Sequence, residues 1–130
     1  AFKNNQKKIN CENNLNINIQ QMDIMIDKPD KVYDIIICNP PYISNADYLT
    51  LDPDVINYDP QEALTDYKDG LSFYIRLAEI GKKIKRNSGS IIMEFGMEKQ
   101  IIMIKNIFSN YNFIEVHNDC NNMPRVIEFV

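Results

Sequence analysis

The chain has 130 residues, 45% of them hydrophobic and 25% charged, with a formal net charge of −4. That suits one domain with a modest core and an ordinary globular composition. It gives no basic footprint for nucleic acid, no apolar run near the ~20 residues of a membrane helix, and no signal-peptide pattern.

The three cysteines, Cys11, Cys38 and Cys120, are odd in number and form no C-x-x-C. They read as reduced thiols of a cytoplasmic protein with no metal signature. His117, the one histidine, has no ligand partner at metal spacing, so no metal site is expected.

Residues 2–14 are polar and Asn-rich, with Phe2 and Ile9 as apolar anchors for a short helix. Leu15, Ile17 and Ile19 then alternate with Asn16 and Asn18, a period of two that predicts a strand to about Met22, with Asp23 at its end. Lys28-Pro29-Asp30 signals a turn. Ile35-Ile36-Ile37-Cys38 is a continuous apolar run of the kind found in strands buried on both faces. Residues 39–68 hold four of the six prolines and show no period, which predicts a long loop with short helical turns.

Asp69 is placed to cap a helix with Leu71, Tyr74, Leu77, Ala78, Gly81 and Ile84 on one stripe. The basic run Lys82-Lys83-Ile84-Lys85-Arg86 falls in its last turns, a solvated face favourable to the helix dipole, and Asn87-Ser88-Gly89 ends it. Ser90 to Phe95 reads as a strand. A second helix carries Ile101, Ile104, Ile107 and Phe108. Phe113 to His117 and Val126 to Val130 read as the last two strands. Alternating strands and helices imply a parallel α/β sheet. The last link is too short for a parallel crossover, so the final two strands should be antiparallel or lie apart.

Ligands of open α/β sheets bind at the carboxyl ends of strands, where Asp23, Asn39 and Glu94 fall. An Asn-Pro-Pro fragment alone is equally a plain turn. Here it follows an apolar strand and ends in a tyrosine, which makes Asn39-Pro40-Pro41-Tyr42 more specific. An amide or arylamine nitrogen is a weak nucleophile, because its lone pair is delocalised. The Asn39 side-chain carbonyl and the Pro40 backbone carbonyl, held by the stiff Pro40-Pro41 unit, can accept both N–H groups of such an NH2. They would favour the charge that develops on nitrogen during attack. Tyr42 offers a flat face to a planar group.

With these residues in view, the chain resembles the HemK-type protein-(glutamine-N5) methyltransferases. The likeness covers nearly the whole sequence. Besides NPPYI at 39–43, it rests on YDPQEAL at 58–64, DGLSFYIRL at 69–77, MEFGMEKQ at 93–100 and NDCNNMPRVIEF at 118–129. Asn-Pro-Pro-Tyr alone is shared with DNA adenine and ribosomal RNA guanine methyltransferases; the flanking segments point to glutamine.

The resemblance implies a class I S-adenosylmethionine-dependent methyltransferase fold, Rossmann-like, with S-adenosyl-L-methionine as cofactor. It implies a peptide chain release factor as partner, modified at the glutamine of a Gly-Gly-Gln loop. Residue by residue, Asn39, Pro40, Pro41 and Tyr42 take the catalytic positions, and Asn39, Pro40 and Tyr42 meet the substrate amide. Met22, Asp23 and Asn39 border the cofactor, Asp23 near its adenine amino group. Glu94 supports the loop, and Arg125 makes a structural contact near the last hairpin.

Two departures stand out. The family's paired glycines before Asp-Gly-Leu are replaced by Asp66-Tyr67-Lys68. The family's Gly-rich cofactor turn and its first two strands have no counterpart, since all four glycines (70, 81, 89 and 96) follow the clamp. Residues 1–130 therefore read as a partial catalytic domain. With a family sheet order of 3-2-1-4-5-7-6, the strand at 15–22 would lack a neighbour. The strand at 33–38 would become an apolar edge, inviting rearranged pairing or self-association. The expectation is a fragment inactive alone. A DNA or RNA amino methyltransferase and a non-catalytic binding module are the alternatives.

Overall fold

Residues 16–130 are described by the computed structural model. The helix expected within 2–14 lies outside them, as do Cys11 and Leu15.

Four strands form one mixed sheet: β1 (Tyr33–Cys38), β2 (Lys85–Glu94), β3 (Phe113–Asn118) and β4 (Pro124–Phe129), in the order β1-β2-β4-β3. β1 runs parallel to β2, with Ile36 opposite Ile91 and Cys38 opposite Met93. β4 is antiparallel to both β2 and β3. The short polar link before β4 thus makes a hairpin, as its length requires.

Three helical turns punctuate the proline-rich loop: α1 (Asn45–Tyr48), α2 (Pro53–Tyr58) and α3 (Gln61–Leu64). Two longer helices follow, α4 (Ser72–Ile84) and α5 (Lys99–Ile107). The stripe of α4 buries Tyr74, Leu77, Ile80, Gly81 and Ile84. It packs with Ile104 of α5 and with Phe108 just beyond it against one face of the sheet, onto Ile91, Met93, Ile127 and Phe129. Each large side chain buried in this way contributes on the order of 1.5–3 kcal/mol. Phe108 also stacks on Phe129 at 4.6 Å between ring centroids.

Several expectations are corrected. Residues 16–22 form no strand. Their alternation marks a face, but they join none of the four described strands of the sheet. Asp23 consequently does not end a strand; it opens a turn, accepting from the Met25 amide at 3.0 Å through its carboxylate. The turn is fastened to α4 by Arg76, which donates to the carbonyls of Ile24 (2.9 Å), Ile26 (3.3 Å) and Asp27 (3.0 Å).

β1 is not buried on both faces. Ile36 and Cys38 pack on the core, while Ile35 and Ile37 are 59% and 78% exposed, on an edge strand. The apolar edge expected from the family sheet order is present. Among the described residues, however, no rearranged pairing is seen.

Asn87-Ser88-Gly89 does not end the helix. α4 stops at Ile84, and the tripeptide lies inside β2, in a bulge between the Tyr33–Lys85 and Ile35–Ser90 pairs. The basic run is only partly a solvated face. Lys85 is buried, its ammonium donating to the carbonyls of Arg86 (2.8 Å) and Asn87 (3.3 Å).

Asp69 does not cap α4 either. Its carboxylate takes the Leu71 amide (3.1 Å), whereas Asp66 reaches the helix start at Ser72 (3.0 Å). Asp66 also accepts from Lys68 (2.8 Å) and Gly70 (2.9 Å). Burial pushes the Asp66 carboxyl up, but these hydrogen bonds together outweigh it and leave it below the usual carboxylate range. Asp66 thus orders the loop at the Asp66-Tyr67-Lys68 departure.

Candidate functional site

β1 delivers the Asn39–Tyr42 turn to the carboxyl end of the sheet, beside the end of β2. Pro40 is buried and Asn39 is exposed. No hydrogen bond engages the Asn39 side chain among the described residues, so its carbonyl is free to accept from a ligand. Cys38, immediately before the turn, is half-buried, and burial pushes its thiol up, so it stays protonated.

Tyr42 is the anchor. Its phenol donates to the Glu94 carboxylate at 3.1 Å, and its ring lies on Gly96. Its carbonyl accepts from the Gln100 amide at 3.0 Å. Burial, then the neighbouring Glu94 charge and hydrogen bond, push the phenol up, so it remains a neutral donor around neutrality. Tyr74 donates to the Glu94 backbone carbonyl at 2.6 Å. Glu94 therefore supports the turn, as the sequence reading had it. Tyr42 is less a free stacking platform than a wall fixed from below.

On the far side of Tyr42 opens a cavity of about 860 Å³, lined among others by Ser44, Asp47, Leu71, Met97 and Arg125. Ser44 caps α1, accepting from the Asp47 amide at 3.1 Å. Its hydroxyl, followed by Lys99, holds the Asp47 carboxyl below the usual range. Lys99 contacts Asp47 at 3.3 Å and so ties α1 to the start of α5. Arg125 donates to the Gly96 carbonyl and contacts Asp119 at 3.4 Å, the structural contact expected of it.

Met22 and Asp23 are not brought into contact with this turn by any hydrogen bond among the described residues. Met22 is half-buried in irregular chain, and the Asp23 carboxylate serves its own turn.

Sequence reasoning passed over two further groups. Gln100 is 4% exposed and bonded on all sides. It closes the MEFGMEKQ segment at 93–100, but no role is read for it there. His117 does have partners: its Nε2 lies 3.7 Å from Glu115 and 3.5 Å from Glu128. Residues 115 and 117 share a strand face, a signal visible in the Glu-x-His spacing. With Glu128 on the adjacent strand they bring three ligand atoms within 4.8 Å of one another, so the expectation that His117 lacks a partner at metal spacing is corrected, though exposed acidic groups commonly gather so without an ion.

A mixed sheet of this kind, with helices on one face and an amide-proline turn at a strand end, fits a methyltransferase-like fold. No protein-family model matches the chain. Individual relatives do. The release factor glutamine methyltransferase of Fusobacterium nucleatum is 37% identical over 116 residues, which is 86% of this chain and 32% of that protein. The enzyme of that name from Clostridium acetobutylicum is 34% identical over 126 residues, 95% of this chain and 44% of its own length. The bifunctional methyltransferase of Rickettsia prowazekii is 34% identical over 128 residues, 97% of this chain and 24% of its own. Over most of its length the chain is thus a homologue of release factor glutamine methyltransferases, as its motifs suggested, and it spans less than half the length of these relatives.

Proposed function

We propose that residues 1–130 form the amide-binding part of the catalytic domain of a class I, Rossmann-like, S-adenosyl-L-methionine-dependent methyltransferase. Its target is the side-chain nitrogen of glutamine in the Gly-Gly-Gln motif of a peptide chain release factor. The carrying observation is the geometry of the turn: an uncommitted Asn39 amide beside a Pro40-Pro41 unit, braced from Tyr42. The order β1-β2-β4-β3 supports the class, because it follows the 4-5-7-6 half of the family sheet.

In this reading the Asn39 side-chain carbonyl and the Pro40 backbone carbonyl each accept one N–H of the glutamine amide. Held so, the NH2 cannot rotate, and positive charge growing on nitrogen is met by two oxygens that need no reorganisation. No base is required before attack, since those protons become acidic only as the new N–C bond forms. Tyr42 closes one side of the pocket, and the phenol stays neutral there.

The four glycines do not form a Gly-rich cofactor turn. A β-carbon added at Gly70, Gly81, Gly89 or Gly96 would meet this chain's own atoms, so none of the glycines leaves room for a ligand against the backbone. The family pattern would put S-adenosyl-L-methionine beside Met22, Asp23 and Asn39. The isolated chain is then expected to bind it poorly and to be inactive. Calorimetric titration showing micromolar affinity would overturn that expectation.

The substrate assignment is tested with the polypeptide translated from the full reading frame that contains this chain. It is offered a Gly-Gly-Gln release factor, DNA and ribosomal RNA with labelled methyl donor. Label on the glutamine of the release factor is the expected result. Label on nucleic acid sinks the glutamine assignment, and label on none of the three makes this a non-catalytic module. Among the described residues no helix is long and apolar enough to cross a membrane.

A further inference from the structure

The Tyr42–Ile43 peptide group is gripped at both ends. Its carbonyl accepts from Gln100 Nε2 at 3.0 Å, and its N–H donates to the Leu64 carbonyl at 3.0 Å. The other end of the turn is fixed where Cys38 pairs with Met93 in the sheet. Between these supports Pro40 and Pro41 have locked φ angles. Few torsions remain, so whatever sets the Tyr42 carbonyl also sets where the Asn39 and Pro40 carbonyls aim.

Gln100 is unusually suited to that task. It is nearly buried, and its Oε1 accepts from two backbone amides, Gly96 and Met97, each at 3.1 Å. Those amides lie past the end of β2 and before α5, where no strand or helix partner is on offer. Two N–H donors on one side and a carbonyl on the other leave only one orientation for the side-chain amide. Gln100 therefore couples the loop after β2 to the loop after β1, 58 residues apart in sequence. No apolar or purely accepting residue could do both.

We propose that Gln100 is a positioning residue for the amide clamp: it fixes the Tyr42–Ile43 peptide and through it the aim of Asn39 and Pro40. The proposal rests on the clamp reading for its effect on turnover, but not for its effect on structure. Gln100→Glu is the discriminating variant. As a carboxylate it keeps the bonds from Gly96 and Met97 but turns an oxygen toward the Tyr42 carbonyl. Protonated, its O–H donates to that carbonyl and restores the original pattern. Gln100→Leu can do neither at any pH.

Two measurements test this. In the polypeptide translated from the full reading frame, the 13C resonance of the Tyr42 carbonyl should shift in Gln100→Glu at neutral pH and return as the pH falls through the glutamate's titration. In Gln100→Leu it should stay displaced throughout. In the full reading-frame polypeptide, kcat of Gln100→Glu at neutral pH should fall ~100-fold, the scale of a misplacement of about 1 Å. Affinity for S-adenosyl-L-methionine should change less than about twofold, and the ratio to wild type should recover at lower pH.

An unmoved Tyr42 resonance in Gln100→Glu overturns the proposal even if glutamine methylation stands. So does a kcat loss that is the same for both variants at every pH. If nucleic acid proves to be the substrate while the Tyr42 resonance follows the expected course, the glutamine reading fails and the positioning role survives.

Discussion

Tyr42 and Gly96 are in such close contact that a β-carbon at Gly96 would lie 2.7 Å from Cδ2 and 2.8 Å from Cε2 of the Tyr42 ring. The ring cannot swing away freely, because its hydroxyl is bonded to Glu94 and its carbonyl to Gln100. The glycine at the end of the Glu-Phe-Gly segment is thus explained by the tyrosine that ends the Asn-Pro-Pro-Tyr turn.

Gly96→Ala should force Tyr42 off its bond to Glu94. Overpacking of this kind typically costs about 1–3 kcal/mol. Denaturant unfolding measures the loss, and near-ultraviolet circular dichroism, free of tryptophan here, follows the tyrosine environment. An alanine variant with unchanged stability and spectrum would show that the ring is not pinned.

Asp66 makes a prediction about acid. Its folded-state carboxyl lies below the ordinary value, on balance of burial against the bonds from Ser72, Lys68 and Gly70. The unfolded chain therefore holds on to its proton at higher pH than the folded one. The stabilisation is complete above the unfolded value of about 3.9 and is lost as pH falls through the folded value. Asp66→Asn should cost about 1 kcal/mol at pH 7, since its NH2 cannot accept from the Ser72 amide. That gap should narrow below about pH 4. Thermal melts of the two proteins that stay parallel from pH 7 to pH 3 would contradict it.

The elements that were legible in the sequence are those whose pattern and partner both lie within the chain. The stripe of α4, the strand cores Ile36, Ile91, Met93 and Ile127, and the exclusion of a parallel pairing for the last two strands are of this kind. Residues 16–22 show why pattern alone is insufficient: Ile17 and Ile19 alternate as a strand should, yet Ile19 is 50% exposed. Asp69 stands where a helix cap is expected, but the Asp66 carboxylate, six residues ahead, reaches Ser72 once the loop folds back. The turn at 39–42 was legible as a motif. Its supports, Gly96 and Gln100, were not, because their meaning lies in contacts across more than 50 residues.

The exposed faces of Ile35 and Ile37 make β1 an apolar edge. Such edges pair with other chains unless something covers them. The isolated chain is accordingly expected to self-associate through β1, as a population that grows with concentration in sedimentation velocity. Ile37→Lys places a charge on that strand and should shift the distribution toward monomer without lowering the unfolding midpoint, because the Ile37 side chain is already 78% exposed. A wild-type chain that remains monomeric at high concentration would remove the basis for this surface.

Asn39→Ala separates substrate binding from cofactor binding. The side chain is exposed and engaged by no hydrogen bond among the described residues, so its removal should leave the fold intact. What it removes is one of the two oxygens proposed to meet the glutamine NH2. Because that contact strengthens only as charge develops on nitrogen, the loss should fall on kcat, by ~10²–10³. Affinity for S-adenosyl-L-methionine in the full reading-frame polypeptide should change far less, even though Asn39 also borders the cofactor in the family pattern. Single-turnover kinetics set against equilibrium cofactor titration decide the matter. If affinity and turnover drop together, Asn39 acts mainly on the cofactor side, and the amide clamp would have to rest on Pro40 alone.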